Sequence, residues 1–482
     1  MSRVRFIMHL CFPNARQHGG NCHCASAENA GAVNGKLIAL NSTIASRRIT
    51  ALLYWSGARA SSSRRTNDCK IRSVPKSLPD RTPLAFEDAR RIVIDRVRSL
   101  IGGRLTETVS LAEAHGRILG ERVLADRDYP ALRRSLRDGF AVKSGSVPGI
   151  LTVRGETRAG EEGQNALGDG EAVEIMTGAP VPDGADAVVM VEQVIRMDTP
   201  EARRVNIEQR AEPGQFINER GAEAKNGSVL IPENIRLDAS HIATLAMTGH
   251  ASLRVVRRPT IAILATGDEI VDEGQEPAAH QIRNSNSHML AALVTASGGR
   301  ARILPVARDT KDALRPLLKE GLRHDMLLVT GGVSAGKYDL VKPALRELGV
   351  EFEFERVRVQ PGQPTAFGIS ESKPVFGLPG NPGSSLVTYQ LFARPALELL
   401  GGESDPILPL LSARFEAPFR HKPGLTRFLP ARLSQDGQHL RHIPWQGSSD
   451  VPALAKANAF LVADHDRESW EIGDSIRVML KP

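Results

Sequence analysis

Residues 261–265 (I-A-I-L-A) carry no polar side chain, and residues 326–329 (M-L-L-V) repeat the pattern before Thr330, Gly331 and Gly332. A strand without alternation is buried on both faces, so layers must cover each side of its sheet. Helical spacing follows such strands at residues 287–297, 311–322, 340–348 and 384–400. Further strand patterns occur at A-R-I-L-P-V, F-E-R-V-R-V, A-F-G-I and P-V-F-G-L-P-G. Apolar strands alternating with helices predict a doubly wound α/β domain with a parallel sheet.

The rest of the chain reads differently. A helix with apolar residues in register is expected from about Leu84 to Leu100, stopped by Gly102 and Gly103. Short apolar runs between Gly, Pro and Asp from about Glu107 to Asp238 predict an all-β unit. A helix returns at residues 239–249, and the tail from about Asp405 has the turn spacing of a small β-barrel or sandwich. A chain of 482 residues needs several cores, in agreement with this division.

The net charge of +7 does not describe this body. Basic residues crowd the first 78 positions, where Glu28 and Asp68 are the only acids, and the remainder is close to neutral. With aromatics at only 4%, nucleic-acid binding is not expected. No run of about 18 apolar residues predicts a membrane span. All four cysteines (Cys11, Cys22, Cys24, Cys69) lie in the basic extension, and a cysteine-free body suits the reducing cytoplasm. The C-H-C run at residues 22–24 lacks a second ligand pair for a metal. The extension has the Arg/Ser-rich, acid-poor composition of a transit peptide, of a disordered segment, or of sequence upstream of the true start.

In an open α/β sheet, ligands bind beyond the carboxyl ends of the strands. The segments at those ends are T-G-D-E (residues 266–269), A-R-D-T (307–310), T-G-G-V-S-A-G-K-Y-D (330–339), Q-P-G-Q-P (360–364) and L-P-G-N-P-G-S-S (378–385). Glycine turns expose backbone N–H groups that favour anions, and Asp268, Glu269, Asp309 and Asp339 are hard oxygen ligands for Mg²⁺. A phosphate-plus-magnesium site is expected there. The G-x-x-x-x-G-K run from Gly331 to Lys337 is not read as a Walker loop, because Tyr338 stands where Ser or Thr must meet magnesium.

These loops resemble those of the MoeA/gephyrin family, the molybdopterin molybdenumtransferases. The likeness runs from about Leu84 to the C-terminus. It includes S-L-R-D-G-F-A-V (135–142), M-T-G-A-P-V-P (176–182), A-V-V-M-V-E-Q (187–193), T-G-D-E-I (266–270), G-L-P-G-N-P-G-S (377–384) and Q-G-S-S (446–449), besides the loops above. The resemblance implies a helical linker domain (79–120 and 235–256) and an inserted β domain (121–234). It adds a MogA-like α/β domain (257–403) and a C-terminal β-barrel (404–482).

The resemblance further implies insertion of molybdate into adenylylated molybdopterin, with Mg²⁺-dependent release of AMP. Asp138, Thr177, Glu269, Asp309 and Asp339 match the family's catalytic positions, the last three also as magnesium ligands. Gly331, Gly332, Ser334, Gly336, Arg356, Gln360, Gln363, Pro379, Gly380, Asn381, Pro382, Ser384 and Ser448 match positions that bind pterin, AMP or molybdate. A homodimer is implied, with the β domain of one subunit facing the α/β domain of the other. Molybdopterin adenylyltransferase and apo-molybdoenzymes are the implied partners.

Three departures stand out. Arg133 and Arg137 replace an Asp and a Met of the family's usual run, Glu223 replaces an Asp, and the usual K-P-G-K-P is Q-P-G-Q-P here. Losing two lysines removes positive charge from an anion site. Arg356, Arg133 and Arg137 are the cations expected to offset it. A diverged pterin-binding or scaffold protein without turnover is the alternative reading.

Overall fold

The computed structural model describes residues 83–162, 166–333 and 339–481. The basic extension with its cysteines therefore lies outside the described residues, as do Ser334, Gly336, Lys337 and Tyr338. No helix among the described residues is long and apolar enough to cross a membrane.

The helix Phe86–Leu100 buries Phe86, Ala89, Val93 and Val97 along one stripe, with Glu87 and Asp88 favourably placed in its first turn. The linker region it opens is not purely helical, contrary to expectation. Strand Thr106–Ser110 pairs antiparallel with Ser252–Val256, closing the chain after the β domain has been inserted. Helix Ala239–Met247 lies between, its first N–H groups accepted by the Asp238 carboxylate. The inserted domain is a six-stranded sheet in the order Ala187–Met190, Gly139–Val142, Glu171–Ile175, Gly149–Thr157, Arg204–Ile207, Val194–Arg196. Separate apolar clusters line its faces, one around Phe140 and Leu151 and the other around Val173 and Ile175.

The α/β domain carries a second six-stranded sheet, ordered Arg300–Ile303, Thr260–Ala265, Met326–Thr330, Lys373–Leu378, Ala366–Ser370, Glu351–Phe354. The first four strands are mutually parallel, but Ala366–Ser370 runs antiparallel to its neighbours. The cause is local. Only Glu371 and Ser372 join Ala366–Ser370 to Lys373–Leu378, and both have positive φ (46° and 67°), a tight hairpin too short for a parallel crossover.

The single long helix expected over residues 384–400 is broken. Helix Pro382–Thr388 passes through a π turn, Tyr389–Ala393, before Arg394–Leu400. Pro395 has no N–H to offer the Leu391 carbonyl, and Arg90 Nη1 donates to that oxygen instead at 2.9 Å.

In the tail, Leu410–Phe415, Thr426–Leu433, His439–His442, Ala459–Ala463 and Ser475–Leu480 close into a five-stranded barrel. Leu429, Ala431, Leu461 and Val478 fill it, while Phe428, Phe460, Val462 and Met479 point outward into the core that Phe86 and the α/β helices share. Phe86 meets Phe428 edge-to-face at 5.4 Å. Phe428→Ala is expected to cost about 3–5 kcal/mol in denaturant unfolding. A double-mutant cycle with Phe86→Ala should return a coupling of about 0.5–1.5 kcal/mol.

Candidate functional site

A cleft of about 450 Å³ opens where the parallel strands end. Thr266 and Gly267, Asp309, residues 330–333 and residues 379–382 form its walls, with Ser384 behind them. The packing there depends on a missing side chain. Gly331 has φ +96°, and a Cβ on it would sit 2.4 Å from the Thr266 carbonyl oxygen. Any other residue would force apart the turns that follow Thr260–Ala265 and Met326–Thr330.

Asn286, which sequence reasoning did not single out, stitches two walls together. Its Nδ2 donates to Thr330 Oγ1 at 2.8 Å and to the Gly380 carbonyl at 2.6 Å. Its Oδ1 is buried without a hydrogen-bond partner. An unsatisfied buried polar atom is uncommon, so its presence in a cleft wall fits a polar ligand. Asn286 sits one residue into the helix Ser285–Ala296, where only a tertiary contact reveals its part.

Asp309 and Glu269 also line the cleft. Burial raises the Asp309 carboxyl above its ordinary range, and the charges of Asp268 and Glu269 push the same way. Asp339 is not in this group. It turns onto Lys342, whose Nζ lies 3.4 Å away, and burial raises its carboxyl too. Among the described residues no three His, Cys, Asp or Glu side chains gather closely enough to hold a metal. Asp339 stands just before the helix Val341–Glu347, beside Lys342, and is not among the residues lining the cleft with Glu269 and Asp309.

The barrel closes one end. Ser448 Oγ accepts from Asn381 Nδ2 at 2.8 Å, and the Ser448 carbonyl accepts the Gly383 N–H at 2.7 Å. The Q-P-G-Q-P turn is held between domains. Val359 and Gln360 pair in parallel with Thr426 and Arg427 of the barrel. Gly362, at φ +118°, leaves no room for a Cβ, which would meet Thr388 Cγ2 at 2.3 Å. Pro364 lines the cleft; Gln360 is exposed, and the Gln363 carbonyl accepts the Val357 N–H. Arg356 is exposed, and its carbonyl accepts the Leu84 N–H. Arg427, also missed, lies beside Gln360 in register, and its buried Nε has no partner.

In the β domain the structure brings Asp138 and Thr177 together. Asp138 Oδ1 accepts from the Thr177 N–H at 2.6 Å and from its hydroxyl at 2.8 Å, which lowers the carboxyl below its ordinary range. The two arginines are engaged locally. Arg133 donates to the Ala185 and Pro182 carbonyls, and Arg137 lies over the Phe216 ring at 5.8 Å. Arg133 is thus hydrogen-bonded within its own domain to neutral acceptors.

Comparison with known proteins bears on this architecture. Residues 84–249 match the model of the MoeA N-terminal region (domain I and II), residues 262–399 that of a probable molybdopterin binding domain, and residues 412–481 that of the MoeA C-terminal region (domain IV).

The chain belongs to the MoeA family.

Among its MoeA relatives, a curated protein of Bacillus subtilis named molybdopterin molybdenumtransferase is 33% identical over 413 residues, covering 84% of this chain and 95% of the relative. A Staphylococcus aureus protein of the same name is 30% identical over 410 residues, covering 83% and 96%. A crystal structure of a molybdopterin biosynthesis MoeA protein from Pyrococcus horikoshii superimposes with a TM-score of 0.69 at 31% identity, covering 83% of this chain and 99% of that one.

The raised Asp309 carboxyl has a sign that can be checked in this MoeA protein. Its folded form holds the proton more tightly than the unfolded one, so ionisation costs stability only once pH rises above the ordinary value of 3.8. Asp309→Asn is expected to melt above the parent at neutral pH. The gap should shrink as pH falls through the carboxylate range; a gap independent of pH would contradict this.

Proposed function

We propose that the protein is a molybdopterin molybdenumtransferase that inserts molybdate into adenylylated molybdopterin, with Mg²⁺-dependent release of AMP. The observation that carries this reading is the cleft. Glycine turns at Gly331–Gly332 and the helix start at Pro382 line one cleft with the like-charged Asp309 and Glu269. The Gly332 N–H and the side chains of Asn381 and Ser384 are the donors proposed for phosphate oxygens, with Ser448 fixing Asn381. Asp309, raised chiefly by burial and further by the charges of Asp268 and Glu269, is a carboxylate that a divalent cation would relieve. Magnesium usually takes one or two carboxylates together with substrate phosphates, so Asp309 and Glu269 suffice without Asp339. When bound, the ion supplies charge neutralisation for the phosphoanhydride.

The Asp138–Thr177 pair is proposed to complete the site from the second subunit of a homodimer. Its carboxylate is held ionised and fixed in direction by the two Thr177 hydrogen bonds. The uncharged Gln360 and Gln363 favour the second reading, a pterin-binding protein without turnover.

The test is incubation of the full chain with adenylylated molybdopterin and Mg²⁺, with AMP measured as molybdate is added. Molybdate-dependent AMP is expected, and Asp309→Asn or Glu269→Gln should lower its rate about a hundredfold or more. Pterin retained with no AMP formed would select the binding-protein reading. Thr177→Ala is expected to reduce the rate without changing the melting temperature, since the pair it breaks is exposed.

A further inference from the structure

A second cavity, of about 950 Å³, lies in the C-terminal barrel and shares no lining residue with the cleft. Its apolar side is formed by Phe415 and Phe419, stacked 5.4 Å apart, together with Pro418 and Ile443. Its polar side is cationic. Arg432 and Arg441 face each other directly in the antiparallel ladder, and Lys456 ends the helix Val451–Lys456 beside them.

Like charges opposed across a ladder cost stability. Among the described residues no carboxylate makes an ion pair with either arginine. Asp450, the one carboxylate in the lining, lies within electrostatic reach of Lys456 and is held by the Gln446 and Ala453 N–H groups, each at 3.0 Å, leaving the cluster a net positive charge. Arg432 donates to the Lys456 carbonyl at 3.2 Å, a neutral acceptor. Arg441 and Lys456 have no carboxylate within ion-pair distance among the described residues. His442, on the same strand as Arg441, has a buried Nε2 without a hydrogen-bond partner, and burial keeps its ring neutral. A neutral imidazole there does not add to the cationic repulsion.

We propose that this cavity binds a small organic phosphate. The dianionic head lies among Arg432, Arg441 and Lys456, where several donors and more than one positive charge converge. An apolar or planar body lies against Phe419, Pro418 and Ile443. The cavity volume is of the order used for small molecules, roughly 300–1,000 Å³. This assignment does not depend on the reaction proposed for the cleft.

The test is calorimetric titration of the full chain with phenyl phosphate, inorganic phosphate and benzyl alcohol. Saturable binding of phenyl phosphate is expected, weaker binding of inorganic phosphate, and none of the neutral alcohol. The exposed double variant Arg441→Ala/Lys456→Ala should weaken phenyl phosphate about tenfold or more. Circular dichroism of the variant checks that the barrel is intact, and Phe419→Leu provides a second arm that should weaken phenyl phosphate but not inorganic phosphate. Absence of saturable binding, or binding undiminished in the double variant, would overturn the proposal.

Discussion

One apolar cluster is shared by three segments far apart in the chain, and the geometry of the cleft depends on it. Phe86, Val93 and Val97 of the first ordered helix, the helices of the α/β domain, and the outer face of the barrel all contribute to this core. Burying it fixes the barrel against the α/β sheet. That contact brings Ser448 to Asn381, and Gln360 into register with Arg427. Without the shared core, the loops at the strand ends would still form, but no barrel residue would reach them.

Given that frame, the cleft is assembled by close backbone approach and unbalanced charge. Gly331 permits the turns after two adjacent strands to touch, and Asn286 bridges them with one amide nitrogen. In the same cleft, burial and then the charges of Asp268 and Glu269 raise the Asp309 carboxyl. A protein keeps such a group at some cost to stability, as it does at many functional sites. Phosphate donors and carboxylates in one cleft suit a phosphorylated substrate carrying a cation.

Much of this was legible in the sequence, for identifiable reasons. Uninterrupted apolar strands announced the sheet, and the glycine loops at their ends located the cleft, because strand ends and ligand sites coincide in this class of fold. The pairing of Asp138 with Thr177 followed the family pattern. What escaped detection depends on contacts between distant residues. The hairpin at Glu371–Ser372 lacks the usual Asn-Gly signal, so the antiparallel strand read as parallel. Pro395 was hidden in a good helical pattern, and its effect is visible only where Arg90 takes the freed carbonyl. The ion pair of Asp339 with Lys342, three residues on, gave no sign in the sequence. The basic barrel cavity gathers residues 432, 441 and 456, whose spacing carries no signature at all.

The central claim is that the cleft at the parallel strand ends holds the adenylylated pterin. Backbone amide hydrogen exchange, measured with and without that ligand on the full chain, tests it most directly. The account predicts slowed exchange at Gly331, Gly332 and residues 380–385, with helix Ala239–Met247 unchanged. Slowing elsewhere with these segments unaffected would contradict it.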